Sequence, residues 1–165
     1  MPKKCKKDNA IQCYYTYVTK LGIVHIEQKD NKITKIKIEK EEELIKHIQK
    51  KETELIKNTY QQIKEYLEGK RKDFQIPLKQ QGTKFQQKVW NVLLQIPYGE
   101  TRSYKQIAQA IGNPKACRAV GMANHNNPYI IVVPCHRVIG QNGKLVGYAG
   151  GLDIKQQLLE IEKQE

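Results

Sequence analysis

No stretch of the 165-residue chain approaches the ~18 consecutive apolar residues that a membrane-spanning helix needs. The opening MPKKCKKDNA is basic but has no apolar segment behind it, so no secretory leader is expected. A cytoplasmic setting follows from that reading, or a nuclear one in a eukaryote. Cysteine is sparse: Cys5, Cys13, Cys117 and Cys135, with no CxxC pair. That argues against a disulfide scaffold and for reduced thiols. A zinc site from Cys5, Cys13 and His25 fits no common ligand spacing, and no metal is expected. Internal repeats and low-complexity segments are absent, so neither a solenoid nor a disordered tail is indicated. Acidic residues are few, 17 against 29 Lys and Arg, giving a net charge of +12 and a pI near 9.5. A polyanionic partner, nucleic acid first, is one reading of that excess. A lysine-rich, solubilising surface is the other.

The chain divides by composition into residues 1–81 and 82–165. The first part is charge-dense and carries no evident chemistry. Residues 11–19, 22–28 and 32–39 are rich in β-branched and aromatic side chains, with turn signals between them at Leu21-Gly22 and Lys29-Asp30-Asn31. They predict a small antiparallel meander. Residues 41–68 follow near helical spacing, with Leu44, Ile45, Ile48, Leu55, Ile56, Ile63 and Leu67 on one face and Gly69 as the stop. The stretch 69–82, with Pro77, reads as a linker.

The second part reads as helix and loop. Thr83 is placed to cap a helix that buries Phe85, Val89, Val92, Leu93 and Ile96, ended by Pro97-Tyr98-Gly99. Ser103 and Gln106 make a capping box for a short helix that stops at Gly112. Asn113-Pro114 predicts an immediate new helix with proline in its first position. Two short helices around a glycine turn form a helix-turn-helix pattern, which also suits ordinary helical packing. The apolar run 130–133 predicts a buried strand. A last helix starts near Asp153, with Ile154, Leu158 and Ile161 inward.

Cys135 follows that run and a proline, and precedes His136 and Arg137. Thiolate is the nucleophilic form, and a neighbouring base or cation raises its share. A buried, inert cysteine is the bland alternative. In an extended segment His136 would face away from the sulfur, so a water relay between them is expected.

The stretch 131–140, IVVPCHRVIG, resembles the active-site signature of methylated-DNA–protein-cysteine methyltransferases. Residues 85–90 (FQQKVW), 96–104 (IPYGETRSY), 112–121 (GNPKACRAVG), 126–128 (NNP) and 147–152 (GYAGGL) resemble further segments of that family, in family order. Together they cover essentially all of residues 83–162.

The resemblance implies an α+β protein with an N-terminal, ribonuclease-H-like sheet domain and a C-terminal helical domain with a helix-turn-helix. It implies that this monomeric protein binds double-stranded DNA containing alkylated guanine through the minor groove and flips the damaged nucleotide into the site. Cys135 would accept the alkyl group, once, without a cofactor. His136 would take the thiol proton, and Glu162 would orient the imidazole. Tyr104 would assist extrusion and donate to the departing guanine. Arg118 would fill the space left by the flipped base. Ala119, Gly121 and Ser103 would lie against the DNA, small enough at 119 and 121 for close approach. Asn127, Pro134, Tyr148, Ala149, Gly150 and Lys155 would shape the pocket. Some relatives have serine where this chain has Ala149, so a hydrogen bond from that side chain to the lesion oxygen is lacking here. Relatives that bind lesions without repairing them have tryptophan in place of Cys135. Two other readings are a DNA-binding regulator, which would not need Cys135, and a cysteine hydrolase, whose histidine normally lies far from the cysteine in sequence.

Overall fold

The computed structural model describes residues 12–42 and 45–163. Cys5 and Ile11 lie outside the described residues, so the zinc reading and the start of the first strand are not addressed by the fold.

Three strands form the predicted meander: β1 (Cys13–Thr19), β2 (Gly22–Lys29) and β3 (Lys32–Glu39). The β2–β3 turn places Asp30 and Asn31 at φ 53° and 62°, the left-handed pair that matches strand twist in a two-residue hairpin. A short β4 (Gln49–Lys50) pairs parallel to β1, giving the order β3-β2-β1-β4.

Of the helix predicted over 41–68, the described residues form α1 (Glu54–Leu67); Leu44 of that prediction lies outside the described residues. Thr53 is extended, and its hydroxyl accepts from Ile56 N, which fixes the start. Among the described residues before it, Glu42 and residues 50–51 are held at the sheet edge instead: Glu42 accepts from Thr16 and from Lys50, and Lys51 N donates to Tyr14 O. Edge pairing overrides the apolar spacing there. Gly69 ends α1 at φ 76°. The 69–82 connection then runs along β3, with Ile33 N donating to Pro77 O at 2.8 Å and Lys79 N to Ile33 O at 2.9 Å.

The C-terminal half begins with α2 (Lys84–Leu93), started by a capping box of Thr83 and Gln86. A two-residue β5 (Arg102–Ser103) leads into α3 (Tyr104–Ala110), capped by the Ser103–Gln106 box. The next helix, α4 (Cys117–His125), starts three residues later than predicted, after an Asn113–Ala116 turn; Pro114 is outside it. Helices α3 and α4 pack on one another and on α2.

The predicted strand at 130–133 is not formed. Tyr129 makes one bridge with Ile36 of β3, then the chain turns sharply with Ile131 at φ 75°. That φ is costly for a β-branched residue and is tolerated because Ile131 is buried in the core. A 3-10 turn (Cys135–Arg137) follows, then β6 (Val138–Ile139), parallel to β5. The last helix, α5 (Leu152–Lys163), buries Ile154, Lys155, Leu158, Leu159, Ile161 and Glu162. One continuous apolar core joins both halves, from Val24, Ile26 and Ile36 of the sheet to Val89, Ile107 and Leu158 of the helices. Among the described residues no helix is long and apolar enough to cross a membrane.

Candidate active site

The 3-10 turn sets Cys135, His136 and Arg137 in the core between α5, α2 and α4. This segment is a 3-10 turn and not extended as expected, and His136 Nδ1 still has no hydrogen-bond partner among the described residues, the sulfur included. All three side chains are buried, and Cys135 is 1% exposed. Asn124 of α4 donates through Nδ2 to Cys135 O at 3.2 Å. Asn127, just after α4, donates to Val133 O at 2.8 Å and accepts from Tyr129 N at 2.9 Å. The helix-turn-helix is thereby tied on two sides to the turn that carries the thiol. Pro134 is buried directly before it.

Glu162 receives four donors. Its Oε1 accepts from Arg137 Nε at 2.7 Å and from Gly99 N at 3.1 Å. Its Oε2 accepts from the Tyr66 hydroxyl at 2.6 Å and from His136 Nε2. Burial alone would raise the carboxyl, but His136, then Tyr66 and Arg137, outweigh it and hold Glu162 at about 2. With a carboxylate on Nε2, that nitrogen carries the proton and Nδ1 keeps the lone pair. Nδ1 is buried and has no hydrogen-bond partner among the described residues. Burial lowers His136 against the pull of Glu162, so the imidazole is neutral at neutral pH and able to accept a proton.

Arg137 is not a partner of the thiol, as its place in the sequence suggested. Its guanidinium is spent on Glu162 and on Ile96 O at 2.7 Å, stacked over Tyr98. The cation that acts on the thiol is Lys155. Burial pushes Cys135 up to about 11, opposed by the Asn127 side chain and by Lys155. Lys155 is itself buried and lowered to about 8, with Cys135 pulling the other way. Its Nζ donates to Val146 O at 3.1 Å and Gly147 O at 3.2 Å, and it lies 5.9 Å from the Tyr104 ring centre. Resting Cys135 is therefore a thiol, and a base is required to make it a nucleophile.

Tyr104, the first residue of α3, is half-buried and donates to Val146 O at 2.8 Å. Burial raises its hydroxyl, with Cys135 adding to the effect. Gly121 of α4 faces it: a Cβ there would lie 4.0 Å from the ring. Tyr148 is buried with its hydroxyl unpartnered among the described residues. Gly150 packs so closely on that ring that a Cβ would come within 3.1 Å. Ala149 beside it is exposed. Lys155 and Glu162, seven residues apart on α5, share its inward face.

Arg118 and Ala119 are exposed on α4. Ser103 serves first as the α3 cap, its hydroxyl accepting from Gln106 N at 3.1 Å. Sequence reasoning did not single out Tyr66, Asn124 or Gly99. Nothing in their local spacing marks them, since each meets its partner through the tertiary fold.

Comparison with known proteins agrees with this architecture. Residues 84–164 match the model of the 6-O-methylguanine DNA methyltransferase DNA-binding domain, and residues 13–80 that of the ribonuclease-like domain of the same protein. The chain is 49% identical to the constitutive methylated-DNA–protein-cysteine methyltransferase of Bacillus subtilis, over 91% of this chain and 94% of that protein. It is 61% identical to the Methanosarcina acetivorans protein of the same name over 61% of this chain; that match spans 65% of the relative, just under two thirds of its length. The crystal structure of Mycobacterium tuberculosis O6-methylguanine methyltransferase superimposes with a TM-score of 0.84 at 42% identity, covering 93% of each chain. A structure of the Mycobacterium tuberculosis protein in complex with DNA gives the same TM-score at 43% identity, covering 92% of each chain. With both halves matched in order by one family's two domains, the chain belongs to the O6-methylguanine DNA methyltransferases, the methylated-DNA–protein-cysteine methyltransferase family.

Proposed function

We propose that this protein repairs O6-alkylguanine in double-stranded DNA by moving the alkyl group onto Cys135, once per molecule, as a monomer and without a cofactor. The observation that carries the reading is a buried thiol next in sequence to a buried imidazole whose Nδ1 has no partner among the described residues and whose Nε2 is held by Glu162. The boundary proposed between the two functional parts is at 81/82, with the DNA-contacting and alkyl-accepting groups in the second.

In the proposed step the Cys135 proton passes through a water to His136 Nδ1, which has no partner among the described residues. The sulfur electron pair forms a bond to the alkyl carbon, the carbon–O6 bond breaks, and its electron pair stays on guanine. The Tyr104 hydroxyl, after leaving Val146 O, donates to the charge developing on the base. Lys155 stabilises the thiolate at the same time. The product thioether does not hydrolyse, so the acceptor is consumed. Arg118, exposed on α4 with the small Ala119 and Gly121 on the same helix, is proposed to enter the duplex, and Ser103 to contact the backbone. Tyr148, Ala149, Gly150, Pro134 and Asn127 are proposed to wall the guanine pocket.

The test is intact-protein mass spectrometry after mixing with a duplex that carries one O6-methylguanine, followed by peptide mapping. One methyl group on Cys135, saturating at one per protein, is the expected result. Unchanged mass in a folded protein that still binds the duplex would leave a lesion-binding or regulatory protein as the better account.

A further inference from the structure

We propose that Tyr66, in the half of the chain that otherwise carries no chemistry, is a positioning residue for alkyl transfer: its hydroxyl fixes the Glu162 carboxylate that orients His136. The inference rests on the proposed function and adds to it a residue from the sheet domain.

Tyr66 lies in the last turn of α1 and is fully buried, wedged against Phe74, Tyr98 and His136. Its hydroxyl donates to Glu162 Oε2 at 2.6 Å and sits 3.2 Å from His136 Nε2. The two residues it joins are 96 and 70 positions away in sequence. A carboxylate offers about four acceptor sites. Here Arg137 and Gly99 N take two on Oε1, and Tyr66 and His136 take two on Oε2. Without the Tyr66 hydroxyl, His136 is left as the one donor to Oε2. The carboxylate is then free to turn about its remaining contacts.

The groups facing this pair come from several elements. His136 meets Glu162 and Lys155 of α5, Tyr66 of α1 and Arg137 of its own turn. Glu162 in turn acts on the Tyr98 and Tyr148 hydroxyls. Of these, among the described residues, Tyr66 alone sets a hydroxyl on Oε2. Its donation drains charge from the oxygen that faces His136. Loss of that donation makes Oε2 a stronger partner for imidazolium, which raises the pH at which His136 becomes a free base. It also loosens the ring. A core-filling tyrosine would do neither, because phenylalanine fills the same volume.

The experiment uses the full chain, comparing wild type, Tyr66→Phe, Glu162→Gln and the double variant. Single-turnover methyl transfer from an O6-methylguanine duplex is followed from acid to alkaline pH, with binding to undamaged duplex measured beside it. For Tyr66→Phe the plateau rate is expected to fall about tenfold and the acidic limb to move to higher pH, with duplex affinity unchanged. In the Glu162→Gln background the same substitution is expected to have little further effect, since Tyr66 acts through Glu162. A folded Tyr66→Phe protein with wild-type rate and wild-type limb would overturn the proposal. So would a rate loss that is the same in both backgrounds, or one that follows the unfolded fraction with the limb unmoved. Absence of transfer by the wild type would instead strike the function itself, which keeps the two failures apart.

Discussion

Arg137 Nε donates to Glu162 Oε1 at 2.7 Å inside the core, with the carboxylate side chain 1% exposed and the guanidinium 8%. Two adjacent residues of the 3-10 turn, His136 and Arg137, thus hold opposite oxygens of one carboxylate. Catalytic geometry and stability are coupled through it.

Arg137→Met removes the cation and leaves Glu162 buried with its charge poorly met. Breaking one partner of a buried pair costs about 3–5 kcal/mol. Urea unfolding should show a loss of that order. Combining the change with Glu162→Gln, which removes the orphaned charge, should return part of it.

Acid lability should follow Glu162. Its carboxyl is held at about 2 in the fold against an ordinary value of 4.5. The unfolded chain therefore binds the proton first as pH falls, and the stability this group contributes is full above about pH 4.5 and is lost towards pH 2. In Glu162→Gln the unfolding free energy should depend less steeply on pH across that window. An unchanged slope would mean that other carboxylates carry the acid transition.

Tyr104→Phe deletes the hydroxyl proposed to meet developing charge on guanine, and also its tie to Val146 O. Loss of one such donor lowers rates by about a hundredfold. Single-turnover transfer from an alkylated duplex should fall by that order, while binding of undamaged duplex changes by a few-fold at most. A matching loss in both would assign the hydroxyl to DNA binding alone.

Arg118→Ala should slow repair of duplex DNA far more than reaction with free O6-alkylguanine, because the free base needs no extrusion. Parallel rate measurements on the two substrates decide this. Equal losses would remove the duplex-entering role from Arg118.

What could be read from sequence followed the range of the interactions involved. The caps at Thr83 and Ser103 were legible because each box closes within three residues. The described residues of 41–53 misled because their local pattern is overruled by edge pairing with Tyr14, and the run 130–133 because the chain turns at Ile131 after a single bridge to Ile36. At the candidate site, the signature around Cys135 and the resemblance to a family singled out Cys135, His136, Glu162, Tyr104 and Lys155. The fold sets His136 against Glu162, and Lys155 and Tyr104 close enough to Cys135 to act on one another electrostatically. The distribution of donors around Glu162 was not legible. Local residue types show neither that Arg137 turns from the thiol to the carboxylate nor that α1 supplies a hydroxyl from 96 residues away.

The edge of β3 has one more consequence. Ile36 N donates to Pro128 O, and Ile130 N donates to Ile36 O, so the segment leading to Cys135 serves as a cover for the open side of the sheet. An unpaired strand edge is a template for self-association. A fragment ending at residue 81 would bare the Ile36 backbone, leaving Lys35 and Lys37 as the local charges that discourage stacking. Expressed alone, the sheet domain should aggregate. Adding the C-terminal half as a separate polypeptide should keep it in solution only if residues 128–130 can still reach that edge.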